Sequence, residues 1–356
     1  MMRPVLILIL IGIAALSMNS YAQDWYVAIN SSQVSVVVSP TNSTYILNVI
    51  GEARCCVYVE VYELTYQPLI NELASLAQRG VEVYVVLSGN VYGRIPEEEY
   101  SAVNELINSG AHVSFNYGYD YVHSKVFVVD NDTVIIGSIN PTYYGFERDL
   151  GIDLVIGNSS MAQVFAGIIL TDYHNESTTQ INYPGIVVSP INSGEYLKDL
   201  LSQPGTLYMA MEELYPSSGM YSLILTHSDR LVLVGQHTEN EEAVNELGAV
   251  MVSDLTAKAI VVGNYVYVGS VNLDYNSLNS NRELGIIIEN PQIAQEIITI
   301  IQQWYNENNT QNQQSTPQTN YTTSTQTLLL LILIILIIYM LRYTLRPRRR
   351  RKIPRL

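Results

Sequence analysis

The stretch His123-Ser124-Lys125-Val126-Phe127-Val128-Val129-Asp130 begins with polar residues, continues through an apolar segment and ends at a turn. An apolar run of this length, bounded by turn residues, predicts a buried strand. A second apolar run follows the turn, so we predict paired strands over residues 124–129 and 133–136. Residues i and i+2 of a strand share a face, so His123 and Lys125 are expected to point the same way.

Strand and helix patterns alternate upstream of this pair. Residues 56–61 are rich in β-formers, residues 68–79 show helical apolar spacing that stops at Gly80, and residues 81–87 form a buried-strand run. Strand–helix–strand order predicts a parallel crossover connection. A second amphipathic helix is predicted over residues 97–108. The fold class is therefore α/β, with a mixed β-sheet flanked by helices.

The chain repeats itself. Four short segments recur in the same order: residues 37–43 return as 187–193, 57–64 as 207–214, 102–106 as 243–247, and 137–140 as 269–272. Two copies of one unit at this separation predict two tandem lobes and not a solenoid. We expect the lobes over residues 23–180 and 181–307.

The ends of the paired strands carry side chains suited to phosphate chemistry. Ser138 and Asn140 repeat, at the neighbouring strand, the spacing of His123 and Lys125. The set combines a nucleophile or base, a fixed cation and an amide donor. It suits attack of an imidazole on a phosphodiester whose non-bridging oxygens are held by Lys125 and Asn140. The alternative is a histidine and a lysine at a solvated strand end.

The pattern His123-x-Lys125-x4-Asp130, Gly137-Ser138-x-Asn140 and Arg148-Asp149-Leu150-Gly151 resembles the signature of the phospholipase D superfamily. The resemblance spans both lobes, residues 30–306. It implies two lobes related by a pseudo-twofold axis, a phosphohistidine intermediate, and no metal or cofactor. It also implies roles for the matched residues: nucleophile for His123, phosphate ligands Lys125 and Asn140, orienting carboxylate Asp149, and structural turn residue Asp130.

The second lobe departs from this pattern. Lys258, Asn272 and the segment Arg282-Glu283-Leu284-Gly285 match, but Thr256 replaces the histidine and Gly263 replaces the aspartate. Threonine cannot donate a proton as imidazolium can. We therefore expect two lysines and two asparagines around the phosphate, including Lys258 and Asn272, but only one histidine.

Two routes could supply the missing acid. Within the chain, His227 or His237 of the second lobe is the candidate, although none of the histidines has metal-ligand spacing. The other route is a homodimer that brings the His123 residues of two chains together.

Charge is distributed unevenly along the chain. Of the 18 Lys and Arg residues, eight lie at or beyond Arg342 and one is Arg3. The region between them holds nine basic residues against 33 acidic ones, a formal charge of −24. Such a surface repels polyanions, so nucleic acid is disfavoured as a partner and lipid or small phosphodiesters are preferred. A protein of this charge is also expected to work in acid, where many carboxylates are protonated.

Few cations remain in this region, and four of them occupy motif positions: Lys125, Lys258, Arg148 and Arg282. This distribution predicts an anion pocket between the lobes. Structural ion pairs are the alternative for the two arginines.

Both ends have the character of membrane-targeting segments. Arg3, an apolar run over residues 5–16 and Ser20-Tyr21-Ala22 predict a signal peptide over residues 1–22, with an uncleaved anchor as the alternative. Polar residues 308–327 predict a flexible stalk. The apolar run from residue 328 predicts a transmembrane anchor over 328–345, and residues 346–356 form a basic tail on the cytoplasmic side. A buried helix and a removable sorting signal are the alternatives. The predicted location is the cell membrane, single-pass, with the body extracytoplasmic.

Cys55 and Cys56 are adjacent in a predicted strand, so their side chains are expected on opposite faces as apolar fillers. A strained vicinal disulfide and a metal pair are the alternatives.

Taken together, the sequence predicts a membrane-anchored, phospholipase D-type phosphodiesterase. A catalytically degenerate protein that binds phosphate esters or surface polymers is the first alternative. A phosphatidyltransferase is the second.

Overall fold

The structure, a computed structural model, describes residues 25–178, 180–315 and 321–344. The chain divides into a unit that ends at Asn308 and a second unit that begins at Asn309. The predicted signal peptide, residues 1–22, and the predicted basic tail, residues 346–356, lie outside the described residues.

The first unit contains two mixed β-sheets. In chain order the strands are β1 (Val27–Ala28), β2 (Val34–Val38), β3 (Cys56–Val61), β4 (Glu82–Ser88), β5 (His112–Asn116), β6 (Lys125–Val129), β7 (Thr133–Gly137), β8 (Ile152–Gly157), β9 (Ile186–Ser189), β10 (Leu207–Met211), β11 (Arg230–Gly235), β12 (Val250–Val252), β13 (Lys258–Val262), β14 (Tyr265–Gly269) and β15 (Glu283–Glu289). The first sheet has the order β2-β8-β7-β6-β3-β4-β5. The second has the order β1-β15-β14-β13-β10-β11-β12, and β9 also pairs with β15.

The two sheets share one connectivity. β3, β4 and β5 run parallel at one edge of the first sheet, as β10, β11 and β12 do in the second. The strands that carry the motif, β6 to β8 and β13 to β15, pair antiparallel. The predicted mixed α/β fold with two sheets is confirmed.

Helices connect and cover these strands. In chain order they are α1 (Thr44–Gly51), α2 (Gln67–Gln78), α3 (Glu97–Asn108), α4 (Tyr143–Glu147), α5 (Ser159–Tyr173), α6 (Ser193–Leu201), α7 (Tyr221–Thr226), α8 (Glu241–Leu247), α9 (Tyr275–Asn279) and α10 (Pro291–Ser315). A further helix, α11 (Tyr321–Thr344), belongs to the second unit. Proline in the first turn of α2 suits a position whose N–H needs no helical partner. Gly80, with φ +87°, provides the left-handed backbone just after this helix.

One apolar core lies between the two sheets. It is built from alternate residues of both, including Val126, Val128 and Ile136 of the first sheet and Val261, Val268 and Ile286 of the second. Helices α5 and α10 complete it. Separate cores lie under α1 to α3 outside the first sheet and under α6 to α8 outside the second. Each sheet thus has a core on both faces. Strands β6 and β13 are accordingly buried throughout, and every residue after the first lysine of each strand is apolar.

Backbone bridges join the lobes at the ends of the motif strands. Val122 pairs with Arg282, and Leu150 pairs with Leu255. The segments that lead into β6 and β13 are therefore held against the opposite lobe.

Strand β1 belongs to the second sheet, although the sequence placed residues 23–180 in the first lobe. β1 pairs in parallel with β15 at Ile288 and Glu289. This edge is available because β9 pairs only with residues Glu283 to Ile286 of the same strand.

The segment predicted as a flexible stalk is partly helical. Helix α10 continues through Ser315, into residues 308–327. Adding polar residues to an existing helix costs far less than nucleating a new one, so the amphipathic first part of α10 supports this extension.

Among the described residues, no helix is both long enough and apolar enough to cross a membrane. The predicted transmembrane anchor over residues 328–345 is therefore wrong. Its unbroken apolar part is residues 328–341. A helix of that length covers ~21 Å, less than the ~30 Å hydrocarbon core of a bilayer.

The cysteine pair also differs from its prediction. The sulfur atoms of Cys55 and Cys56 are 2.6 Å apart, so the side chains do not point to opposite faces. The reason is that β3 begins at Cys56. Cys55 lies outside the strand, so the alternation of side chains between the two faces does not apply to it.

Candidate active site

His123 lies two residues before β6, and its ring faces a carboxylate from the other sheet. Its Nδ1 is 3.0 Å from Oε2 and 3.1 Å from Oε1 of Glu283, the first residue of β15. The side chain of Glu283 is fully buried, whereas that of His123 is 17% exposed. A carboxylate accepts hydrogen bonds, so Nδ1 carries the proton and Nε2 keeps its lone pair.

Burial and charge set the protonation of this pair. Burial lowers the pKa of His123, and this outweighs the opposing effect of Glu283. Burial alone would raise the pKa of Glu283, but its charge interaction and hydrogen bond with His123 hold it below the ordinary value. The pair is therefore a neutral imidazole beside a carboxylate, which is the state that a nucleophilic histidine requires.

Lys125 and Lys258 open the equivalent strands β6 and β13, and both are fully buried. Each ammonium donates to the carbonyl two residues before it. Lys125 Nζ is 2.7 Å from the oxygen of His123, and Lys258 Nζ is 3.0 Å from that of Thr256. Burial and the charge of Lys258 lower the pKa of Lys125 to about 7.

The two lysines have different neighbours. Lys258 Nζ donates to the carboxylate of Glu212. Burial would raise the pKa of Glu212, but the charge of Lys258 holds it well below its ordinary range. Tyr62 stands at the repeat-related position, with its ring centroid 5.7 Å from Lys125 Nζ. Lys258, predicted as a phosphate ligand, is thus neutralised by Glu212, whereas Lys125 faces an aromatic ring.

A cavity of about 140 Å³ opens beside His123. The second lobe contributes most of its polar lining, including Glu212, Glu213, Asn272 and Asp274. Asn272 Oδ1 accepts a hydrogen bond from the N–H of Glu213 at 3.2 Å, which leaves its amide N–H groups as donors for a ligand.

Asn140, the other predicted amide ligand, is not among the described residues that line this cavity. Its Oδ1 is buried and has no hydrogen-bond partner.

The prediction that Asp149 orients His123 is wrong, because Glu283 of the opposite lobe occupies that place. The hydrogen bonds of the sheets give the reason. The N–H of Ser138 donates to Ile152, and that of the repeat-related Ser270 donates to Leu284. Ile152 therefore corresponds to Leu284, so the residue that matches Glu283 is Gly151. Aligning Arg148-Asp149-Leu150-Gly151 with Arg282-Glu283-Leu284-Gly285 by residue type alone pairs Asp149 with Glu283, which is two residues away from the structural match.

Because Gly151 is the counterpart of Glu283, the first lobe has no carboxylate at the position from which Glu283 contacts His123. A Cβ at this position would lie 2.8 Å from Cγ1 of Ile139 and 3.0 Å from Oγ of Ser39. The N–H of Thr256 donates to Leu150 at 3.1 Å, the counterpart of the bond from His123 to Arg282. The missing histidine and the missing carboxylate thus belong to one pair. Of the two repeat-related pairs, His123 with Glu283 is present, whereas Thr256 and Gly151 occupy the positions of the other pair.

A sequence model of the family described as "Cardiolipin synthase, PLD-like domain" matches residues 46–172 and 232–305, more than half of the chain. The match includes His123, Lys125, Lys258 and Glu283. This chain belongs to the phospholipase D superfamily.

Individual relatives agree with this assignment. The phospholipase D of Rickettsia conorii is 24% identical over 139 residues, which are 38% of this chain and 68% of that protein. The cardiolipin synthase 1 of Staphylococcus epidermidis is 26% identical over 116 residues, 32% of this chain and 24% of the synthase. The phosphatidylserine synthase of Haemophilus influenzae has a TM-score of 0.60 at 13% identity, covers 80% of this chain and 88% of its own, and shares the fold.

In this phospholipase D-like protein, Asp130 lies at the far end of β6 from His123. Its carboxylate accepts hydrogen bonds from the N–H groups of Arg54, Cys55 and Cys56 at 3.0, 2.8 and 3.2 Å. Burial alone would raise the pKa of Asp130, but these backbone bonds hold it below the ordinary value. Asp130 therefore ties the β6–β7 turn to the start of β3 and does not reach the cavity.

Cys55, Cys56 and Asp130 are the one group among the described residues whose ligand atoms lie close enough to hold a metal ion. The group does not fit a metal site. The oxygens of Asp130 are occupied by backbone N–H groups. Burial and the hydrogen bond with Cys56 raise the pKa of Cys55 to about 12, so it remains a thiol and not the thiolate that a metal binds.

The arginines at the motif positions do not form an anion pocket. Arg282 is fully buried, and its Nε is 2.7 Å from Oδ2 of the buried Asp172. Arg148 is exposed and lies over the ring of Tyr144. The alternative of a structural ion pair is therefore the correct one for Arg282.

The two candidate substitute histidines differ in position. Both ring nitrogens of His227 are bonded to backbone carbonyls, those of Gly205 and Leu201. The Nε2 atom of His237 lies 3.8 Å from the carboxylate of Glu212. Neither lines the cavity beside His123.

Sequence reasoning missed three residues of the site: Glu283 as the partner of His123, Glu212 as the partner of Lys258, and Glu213 in the cavity wall. The repeat placed Glu212 and Glu213 after an apolar strand. This end-of-strand position was the available signal.

Proposed function

We propose that this protein is a phosphodiesterase that hydrolyses phosphodiester bonds through a phosphohistidine formed on His123. The pair of His123 and Glu283 carries the proposal, because it presents an unprotonated Nε2 beside a cavity. The amide of Asn272, which lines the cavity, and protonated Lys125, whose Nζ donates to the carbonyl of His123, are the proposed ligands of the non-bridging oxygens.

The reaction has two displacements. In the first, the Nε2 lone pair of His123 forms the N–P bond while the P–O bond to the leaving alcohol breaks. The proton on Nδ1 stays hydrogen-bonded to Glu283, whose negative charge stabilises the positive charge that the ring gains. In the second, water attacks phosphorus, the N–P bond breaks, and a phosphomonoester leaves.

We infer a lipid or small-molecule phosphodiester and not nucleic acid as the substrate. The formal charge of −24 between the two ends repels polyanions. The acidic lining of the cavity has the same effect locally. The names of the relatives, a phospholipase D, a cardiolipin synthase and a phosphatidylserine synthase, support phospholipids. The predicted signal peptide supports an extracytoplasmic site of action.

The test is turnover of bis(p-nitrophenyl) phosphate by the full chain and by His123→Ala. We expect the wild type to release p-nitrophenol and the variant to lose at least ~10³-fold in kcat. His112→Ala, a change at an exposed histidine, is the matched control and should keep its activity. Acid-labile phosphate on His123, located by mass spectrometry, would identify the intermediate.

The alternatives predict other outcomes. A wild type without turnover that still binds phosphate esters would contradict hydrolysis and favour a binding protein. Products that carry an added alcohol in place of water would favour a phosphatidyltransferase. Sizing of the active sample would test whether two chains pair.

A further inference from the structure

We propose that Glu213 is the proton donor and acceptor of this reaction, in place of the second histidine that the chain lacks. The proposal rests on the phosphodiesterase function above and names a catalytic group for it.

The need for such a group follows from the lost half of the site. Thr256 stands where the second histidine would be, and its N–H is held by Leu150. An alcohol leaving group requires a proton as the P–O bond breaks, and water requires a base when it attacks the intermediate. The missing histidine would belong to the second lobe, so the group that gives and takes this proton is expected among the second-lobe residues that line the cavity.

Three carboxyl groups line the cavity on that side, and two of them are committed to other contacts. Glu212 binds the ammonium of Lys258 and is held ionised by it. Asp274 caps helix α9, since its Oδ1 accepts from the N–H groups of Asn276 and Ser277 at 2.8 and 3.0 Å.

Glu213 is the remaining carboxyl group. It is half-buried, its side chain is hydrogen-bonded to that of Tyr215, and among the described residues no cation lies within ion-pair distance of it. The bond from its own N–H to Asn272 fixes its backbone beside an amide that also lines the cavity. Glu213 and His123 therefore line the same cavity from opposite lobes.

The charges around Glu213 favour a proton on it. Burial raises its pKa, and the neighbouring carboxylates Glu212 and Asp274 raise it further, against the opposing charges of Lys258 and His237. A carboxyl group with a raised pKa can give a proton in one step and take it back in the next.

The proton balance closes over the two displacements. As the P–O bond breaks, its electron pair takes the proton of Glu213, which gives the free alcohol and a Glu213 carboxylate. That carboxylate then removes a proton from the attacking water while the new P–O bond forms and the N–P bond breaks. His123 regains its lone pair, and Glu213 is protonated again.

Glu213→Gln tests this assignment with bis(p-nitrophenyl) phosphate, whose first leaving group departs without an acid. We expect a burst of one p-nitrophenol per active site, followed by steady-state turnover at least ~10²-fold slower than in the wild type. Phosphohistidine should accumulate in the variant, because water is no longer activated. Circular dichroism and thermal unfolding show whether the variant is folded.

Two controls separate Glu213 from its neighbours. Glu63→Gln changes the repeat-related glutamate, which does not line the cavity, and should keep turnover within ~3-fold of the wild type. His237→Asn should also keep turnover.

Each contrary result overturns the assignment. Steady-state turnover of Glu213→Gln within ~3-fold of the wild type would mean that another group moves the proton. Loss of the burst together with turnover would mean a structural role. A burst followed by slow turnover in His237→Asn alone would transfer the role to that histidine. A wild type with no turnover refutes the phosphodiesterase itself, which is a separate result.

Discussion

The proton on His123 is governed by one carboxylate, Glu283, that lies 160 residues away in the chain. Replacing Glu283 by Gln removes the negative charge and lets the ring adopt the tautomer with its proton on Nε2. We expect kcat to fall by about 10²-fold or more, because that tautomer has no lone pair for phosphorus. The measurement is turnover of bis(p-nitrophenyl) phosphate at several pH values.

Glu289→Gln, at the other end of β15, is the control for this change. It should keep its turnover, since its side chain is remote from His123. A Glu283→Gln protein that is folded and retains kcat within ~3-fold of the wild type would contradict the assigned tautomer.

The sequence identified His123 as the candidate nucleophile but did not identify its partner. His123 and Lys125 could be recognised because they are two residues apart on one strand end, where local geometry suffices. Glu283 could not, because its approach to His123 depends on how two sheets pack. Asp149 was the obvious alternative by motif spacing, and only the hydrogen bonds of Ser138 and Ser270 reveal that Gly151 holds the equivalent position.

At the scale of elements, the turn between β6 and β7 depends on the carboxylate of Asp130. Asp130→Ala leaves three backbone N–H groups without that acceptor and puts alanine at φ +53°. We expect the free energy of unfolding to fall by about 1–3 kcal/mol. Urea denaturation measures it, and turnover per folded molecule should change little because the cavity is at the other end of β6.

Asp132→Ala, in the same turn, is the matched control. Its carboxylate accepts only from the hydroxyl of Ser159 at the surface, so a small loss is expected. Equal losses in the two variants would contradict the role assigned to Asp130.

Elements with strong local patterns were predicted closely. The predicted strand over 56–61 is Cys56–Val61, and the helix predicted over 97–108 is Glu97–Asn108. β1 was missed because a two-residue strand has no periodicity and exists only through its pairing with β15. The C-terminal apolar run was assigned a membrane-spanning role from its composition, whereas no described helix is both long enough and apolar enough for that role.

At the scale of the whole molecule, buried carboxyl groups make the free energy of unfolding depend on pH. Burial raises the pKa of Glu99 to about 8 and that of Asp153 to about 7, and it raises the pKa of Glu60 well above its ordinary value. The folded protein keeps these protons at a pH where the unfolded chain has released them. Stability contributed by these groups is therefore complete below about pH 4 and is lost as pH rises through 7 to 8.

We accordingly expect the urea midpoint to be higher near pH 5 than near pH 8. His123 and Lys125, whose pKa values are lowered, act in the opposite sense, but the buried carboxyl groups outnumber them. Glu99→Gln should reduce the difference, because the amide oxygen can still accept from Leu64 without titrating. Glu98→Gln changes the exposed neighbour on α3 and should leave the pH dependence intact. A midpoint that rises steadily from pH 5 to pH 8 would refute the expectation, and with it the idea that the protein works in acid.

The crowding at Gly151 has a consequence for the history of this chain. Restoring histidine at residue 256 alone would leave its ring without an acceptor. A carboxylate side chain introduced at residue 151 alone would clash with Ser39 and Ile139 and would have no imidazole at residue 256 to accept a hydrogen bond from. Each change alone leaves the new side chain without its partner, so completing the second half of the site requires both substitutions together.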